Sequence, residues 1–169
     1  MPFIKSHKLL FGAMALAFAM AAPVHAQQKS VAVTAIVEHP ALDAVRDGVK
    51  EGLAAEGFEE GKNLQWQYQS AQGNTGTAAQ IARKFIGDQV EVIVAIATPS
   101  AQAVAAATRD IPLVYSAVTD PVAAKLVPSM AASGSNITGA SDALELDKQI
   151  DLIKRVAPNA KRVGMVYNP

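Results

Sequence analysis

The sequence predicts an α/β fold built on an open, mostly parallel sheet with helices on both faces. Short β-rich runs alternate with segments of helical periodicity, the pattern of successive βα units. One run, VEVIVAIA at 90–97, is almost continuously apolar, as a strand covered on both faces must be. Half of the residues are hydrophobic while only 5% are aromatic, which suits a core of small and branched side chains.

The first 26 residues read as an address. Lys5 and Lys8 form a positive start, Leu9 to Ala22 is apolar, and Val24-His25-Ala26 places small residues at the cleavage positions of a secretory signal peptide. The apolar run is shorter than the roughly 20 residues a membrane-spanning helix needs. Cleavage after Ala26 would leave 143 residues with a net charge of −2 and His39 as the sole histidine, an exported product whose expected destination is a periplasm.

The elements follow in order. Residues 31–37 (VAVTAIV) form a strand. Residues 41–56 form a helix with Leu42, Val45, Val49 and Leu53 on one face and Gly57 beyond its end. Leu64 to Tyr68 alternates apolar and polar, so Trp66 and Tyr68 are sheet-face packing. Asn74 or Thr75 caps a helix carrying Ala78, Ile81, Ala82 and Phe85 and stopped by Gly87. After the 90–97 strand come an alanine-rich helix over 99–108 and a strand at 112–116. A short helix or irregular turn (121–130), a weak strand (136–139), a helix (144–156) and a strand opening at 162–167 complete the chain.

Composition narrows the function. There is no cysteine, so disulfide scaffolds, thiolate metal sites and cysteine nucleophiles are excluded. With one histidine left, no metal cluster and no cofactor are expected. Balanced charge and scarce aromatic residues argue against a nucleic-acid partner.

In open α/β sheets, ligands bind outside the carboxyl ends of the strands. The unusual polar residues gather there: Glu38 and His39 after the first strand, Thr98 and Ser100 after the third. Ser116, Val118, Thr119 and Asp120 lie around the end of the fourth, and Asp142 follows the fifth. Thr98-Pro99 and Asp120-Pro121 each read as an N-cap followed by proline. A helix start offers bare N–H groups to a carboxylate, and Glu38, Asp120 and Asp142 offer acceptors to an ammonium group. That combination suits an amino acid. Taken singly, each residue has a plainer use in capping or in a loop, and it is their collection on one edge that argues for a site. A Ser100–His39–Asp120 triad lacks the Gly-x-Ser-x-Gly elbow. Gly73 to Thr77 matches no phosphate-loop pattern and reads as a turn plus cap. Asp43, Asp47 and Glu51 with Arg46 and Lys50 read as a solvated helix face.

The strings VEHPALDAVRDGVKEGL, VEVIVAIATPSAQAVAAAT, IPLVYSAVTDPVAAKLV, NITGASD and LIKRVAPNAKRVGMVYNP resemble the periplasmic substrate-binding proteins of ATP-binding cassette (ABC) transporters, within the group associated with tryptophan and other aromatic amino acids. The resemblance implies two Rossmann-like lobes of the type I periplasmic binding protein kind that close on a ligand about a hinge. It places the first lobe at 27–143, with the hinge crossing near 139–143, and the start of a second, incomplete lobe at 144–169. It implies ligand contacts from Glu38, His39, Thr98, Ser100, Ser116, Val118, Thr119, Asp120 and Asp142, and an ABC permease with its ATPase as partners. An exported hydrolase using Ser100 and a sensory ligand-binding module are the alternatives.

Overall fold

The structure is a computed structural model that describes residues 28–131 and 134–164; the expected signal peptide and the last five residues lie outside the described residues. The elements run β1 (Lys29–Ala35), α1 (Pro40–Ala55), β2 (Leu64–Ser70), α2 (Thr75–Gly87), β3 (Val92–Ile96), α3 (Thr98–Ala107), β4 (Leu113–Val118), β5 (Ile137–Ser141) and α4 (Leu146–Val156). The sheet has the order β2-β1-β3-β4-β5, and every pairing is parallel.

Local chemistry explains most of the element boundaries. His39 caps α1 and Pro40 follows it, where a missing N–H costs nothing. Gly57, at φ +86°, takes the chain out of α1 in the left-handed conformation that helix ends favour. The Thr77 N–H donates to Asn74 Oδ1 at 2.9 Å at the start of α2, a cap of about 1 kcal/mol.

Two apolar layers sandwich the sheet. On one side α2 and α3 bring Ala78, Ile81, Phe85, Ala101 and Val104 onto Ala32, Ile93 and Ala95. On the other, Leu42, Val45, Val49 and Leu53 of α1 cover Val31, Val33, Val94 and Ile96. β3 is thus buried on both faces, which is why its sequence is nearly unbroken in apolar residues. Phe85 and Ile93 are wholly buried, each contributing about 1.5–3 kcal/mol. Trp66 and Tyr68 pack beneath α1, with Lys50 Nζ and Arg46 Cζ lying 5.6 Å and 4.9 Å from their ring centroids.

Several expectations need correction. β1 starts two residues earlier than its apolar run suggests, and it stops before Ile36 and Val37. Lys29 joins the sheet through its backbone N–H, which donates to Asn63 O at 2.8 Å, and its side chain reaches Glu91 at 3.0 Å, while Val37 is 40% exposed. β2 continues past Tyr68 to Ser70, in register with Ala35. Of the short helix or irregular turn expected at 121–130, the turn is the one that forms, over 121–125. The strand expected at 162–167 is absent over 162–164, and the remainder lies outside the described residues. None of the residues of α4 is buried, and Leu146, Ile150 and Val156 are exposed.

The pairing of β4 with β5 contains a bulge. Tyr115 faces Gly139, then the register shifts so that Val118 faces Ser141. Ala117 sits in the bulge at φ +53°. Strict alternation after Leu113 and Tyr115 would send residue 117 into the α2–α3 layer; the extra residue sends Val118 there instead.

Candidate functional site

The order β2-β1-β3-β4-β5 creates a switch point. From β1 the chain leaves through α1 on one face, and from its neighbour β3 it leaves through α3 on the other. The two loops diverge, and a crevice opens between them at the carboxyl ends, where doubly wound sheets take their ligands. The nine residues expected to form the site all lie on this edge or immediately behind it, spread over β1, β3, β4 and β5. Strand spacing sets their separation: the ends of β1 and β4 lie two steps of about 4.8 Å apart.

Glu38 is exposed in the loop after β1. His39 is held at both ends. Its carbonyl accepts from the N–H groups of Leu42 and Asp43 at 2.8 Å, and its Nδ1 accepts from the Ala41 N–H at 3.2 Å. A neutral imidazole that accepts at Nδ1 carries its proton on Nε2, so the cap leaves His39 a single outward donor.

Thr98 does not cap α3. The N-cap is Ala97, at φ 72° and ψ 154°, with no side-chain capping bond; Thr98 is the first helical residue and is half-buried. The left-handed turn at Ala97 starts the helix one residue earlier than the Thr-Pro pair suggests. The opening N–H groups of α3 therefore meet no side-chain oxygen at the N-cap, and with the positive end of the helix they form an anion-accepting end. Ser100 is wholly buried and its Oγ has no hydrogen-bond partner among the described residues; Thr34 Oγ1, near the end of β1, is in the same condition.

Ser116 is half-buried near the end of β4, opposite Ile96. Val118 is 0% exposed, so its side chain belongs to the core because of the bulge, while its carbonyl accepts from the Asp142 N–H at 3.2 Å. Thr119 is exposed, and its carbonyl accepts from the Ser141 hydroxyl at 2.8 Å. Asp120 does cap, through Oδ1, which accepts from Val122 and Ala123 N–H at 3.0 and 2.9 Å; its other oxygen faces no such bond. What it caps is the 121–125 turn. Asp142 is exposed at the end of β5.

A further loop, which the sequence marks only as a turn plus cap, also reaches this rim. After β2, Gln72 and Gly73 both take left-handed backbone at φ 51° and 77°, and the Gly73 N–H donates to Ile36 O at 2.6 Å, tying the β2 and β1 loops together. The Gln-Gly pair signals a turn, but nothing in it signals proximity to the crevice. Cavities of about 590 and 350 Å³ lie at the opposite edge of the sheet, the first beside Arg109 and Asn136, the second between Phe58 and Leu64. Among the described residues no cluster of three or more potential metal ligands forms, and no helix is long and apolar enough to cross a membrane.

The family model described as ABC transporter substrate binding protein matches residues 30–169. The chain belongs to this family. It is 44% identical over 142 residues to the "Tyrosine-binding protein" of Clostridioides difficile, covering 84% of this chain and 41% of that protein. It is 54% identical to a conserved domain protein of Vibrio cholerae, with a TM-score of 0.83 over 85% of this chain and 48% of the other. It is 34% identical to a Streptococcus pneumoniae ABC domain solved with L-Trp, with a TM-score of 0.75 over 79% and 45%. The chain thus spans less than half the length of these relatives. The expected type I periplasmic-binding-protein fold is borne out by the parallel sheet and these likenesses.

For a member of this family, a catalytic reading of the same residues has no support in the geometry. The Ser100 hydroxyl is buried, and the His39 Nδ1 is occupied by the cap of α1.

Proposed function

We propose that this chain captures an aromatic amino acid, tyrosine or tryptophan, at the carboxyl rim of its sheet and delivers it to an ABC permease and its ATPase. The observation that carries the reading is the switch point, with Glu38 and His39 on one side and the uncapped start of α3 on the other. The likeness to a tyrosine-binding protein and to a domain solved with L-Trp supports the choice of ligand.

The ligand carboxylate would sit against the first N–H groups of α3 and the Thr98 hydroxyl, where a helix start favours negative charge. Its ammonium group would face Glu38 or the free oxygen of Asp120. Val37, 40% exposed beside Glu38, would begin an apolar wall for the ring. Residues 1–26 serve as the export signal to the periplasm, 27–143 as the first lobe, and 144 onward as the start of a second lobe, consistent with an α4 that buries none of its residues on the first. Closure of two lobes shifts the open–closed equilibrium by the ligand's differential affinity for the closed form.

Calorimetric titration of the complete protein with each of the twenty amino acids tests this. Saturable heat with tyrosine or tryptophan, reduced at least tenfold in affinity by Thr98→Val, is expected. Silence with all twenty would remove the assignment.

A further inference from the structure

Two alanines at the rim hold backbone conformations that L-residues rarely adopt. Ala97 lies at φ 72° and ψ 154°, in a region populated almost only by glycine, and Ala117 lies at φ 53°. They are not independent. The Ala97 N–H donates to the carbonyl of Ser116, the residue before Ala117, at 2.9 Å. One hydrogen bond therefore joins the two strained turns across neighbouring strands.

Each turn has a consequence at the rim. Ala97 starts α3 without a side-chain cap and makes Thr98 its first residue. Ala117 forms the bulge that turns Val118 into the core and shifts β5 so that Ser141 and Asp142 meet the end of β4. Glycine would adopt either conformation without steric cost, and the chain uses it at Gly57, Gly61 and Gly73. A methyl group in such a turn raises the energy of the native backbone but narrows the range of conformations around it. That exchange is useful where donors must be in place before the ligand arrives, because ordering them on binding would subtract from affinity.

We propose that Ala97 and Ala117 are positioning residues of the ligand site, locked to each other through the Ala97 N–H to Ser116 O hydrogen bond and holding Thr98 and Ser116 in their binding geometry. This rests on the proposed binding function. The test compares the complete protein with its Ala97→Gly, Ala117→Gly and doubly substituted forms. It measures thermal midpoint and calorimetric affinity for L-tyrosine and L-tryptophan. Each single substitution is expected to leave the midpoint unchanged or higher while weakening binding about tenfold, or 1.4 kcal/mol. The double substitution is expected to lose clearly less than the sum of the two, because loosening either turn already slackens the one backbone hydrogen bond that ties them. Binding as tight as in the unsubstituted protein would overturn the inference. So would a fall in midpoint parallel to the fall in affinity, which marks a merely structural role, or strict additivity. If the unsubstituted protein binds neither amino acid, the ligand reading fails and the inference falls with it, an outcome distinct from the others.

Discussion

The two ends of the same sheet treat their polar groups differently. At the amino end, Glu91 accepts from the Lys29 ammonium and the Ser30 N–H and donates its own N–H to Ser30. Nearby, Asn63 bridges Glu59 N–H and Gly57 O, and Asn136 donates to Ile111 O. These groups close turns on one another. At the carboxyl end some groups do the same, as His39 and Asp120 show. Among the described residues that end also keeps buried hydroxyls without partners, on Thr34 and Ser100, with a third on Tyr68 of β2, and two alanines in strained turns. Unsatisfied groups and strain persist only where the surrounding structure enforces them, and they gather at sites of function. The contrast separates a stabilising edge from the edge proposed to bind, although left-handed Gln89 and Lys125 show that the amino half is not free of unusual turns.

The largest expected effect should not distinguish the ends. Phe85, wholly buried in the shared core, loses about 3–5 kcal/mol of stability as Phe85→Ala, read by urea unfolding. Gly139→Ala sharpens the comparison. A Cβ there would run into the Tyr115 carbonyl oxygen and lie 2.6 Å from the Tyr115 ring, so the β4–β5 pairing must shift. A cost of about 1–3 kcal/mol in unfolding, with weaker ligand binding, is expected. Asp120→Ala removes the turn cap, costing about 1 kcal/mol, and should lower affinity by more than that stability loss accounts for in the thermal midpoint.

The smallest effect belongs to the amino end. The Lys29 hydrogen bond, and after it the Ser30 N–H, hold the Glu91 carboxyl below its ordinary value. A depressed folded value stabilises the protein above the ordinary carboxylate range, and that contribution is lost as pH falls through the lowered value. Glu91→Gln should therefore lower the thermal midpoint at neutral pH, with the gap closing in acid, and leave ligand affinity unchanged. A change in affinity would blur the division between the ends.

The parts of this picture that were legible in the sequence are those with a local cause. The apolar run around Ile93, the Asn74 cap, the helical face of Leu42, Val45, Val49 and Leu53, and the position of Glu38, Thr98 and Asp120 at strand ends all follow from residue type and spacing. By sequence Val118 belongs to the rim, because nothing in Ser-Ala-Val-Thr marks a bulge and alanine carries no signal for a left-handed turn. Thr98 looks like a cap for the same reason: the turn that displaces it lies at Ala97. The tie between the β2 and β1 loops at Gly73 depends on strand order, which residue spacing alone does not contain.

The most direct test is where the ligand sits. A crystal structure of the complete protein with L-tyrosine or L-tryptophan should place the ligand over the carboxyl ends of β1, β3 and β4, with its carboxylate on the first N–H groups of α3 and its ammonium group within reach of Glu38 or Asp120. A ligand seated instead at the amino edge, in the cavity between Phe58 and Leu64 or beside Arg109 and Asn136, would contradict the account.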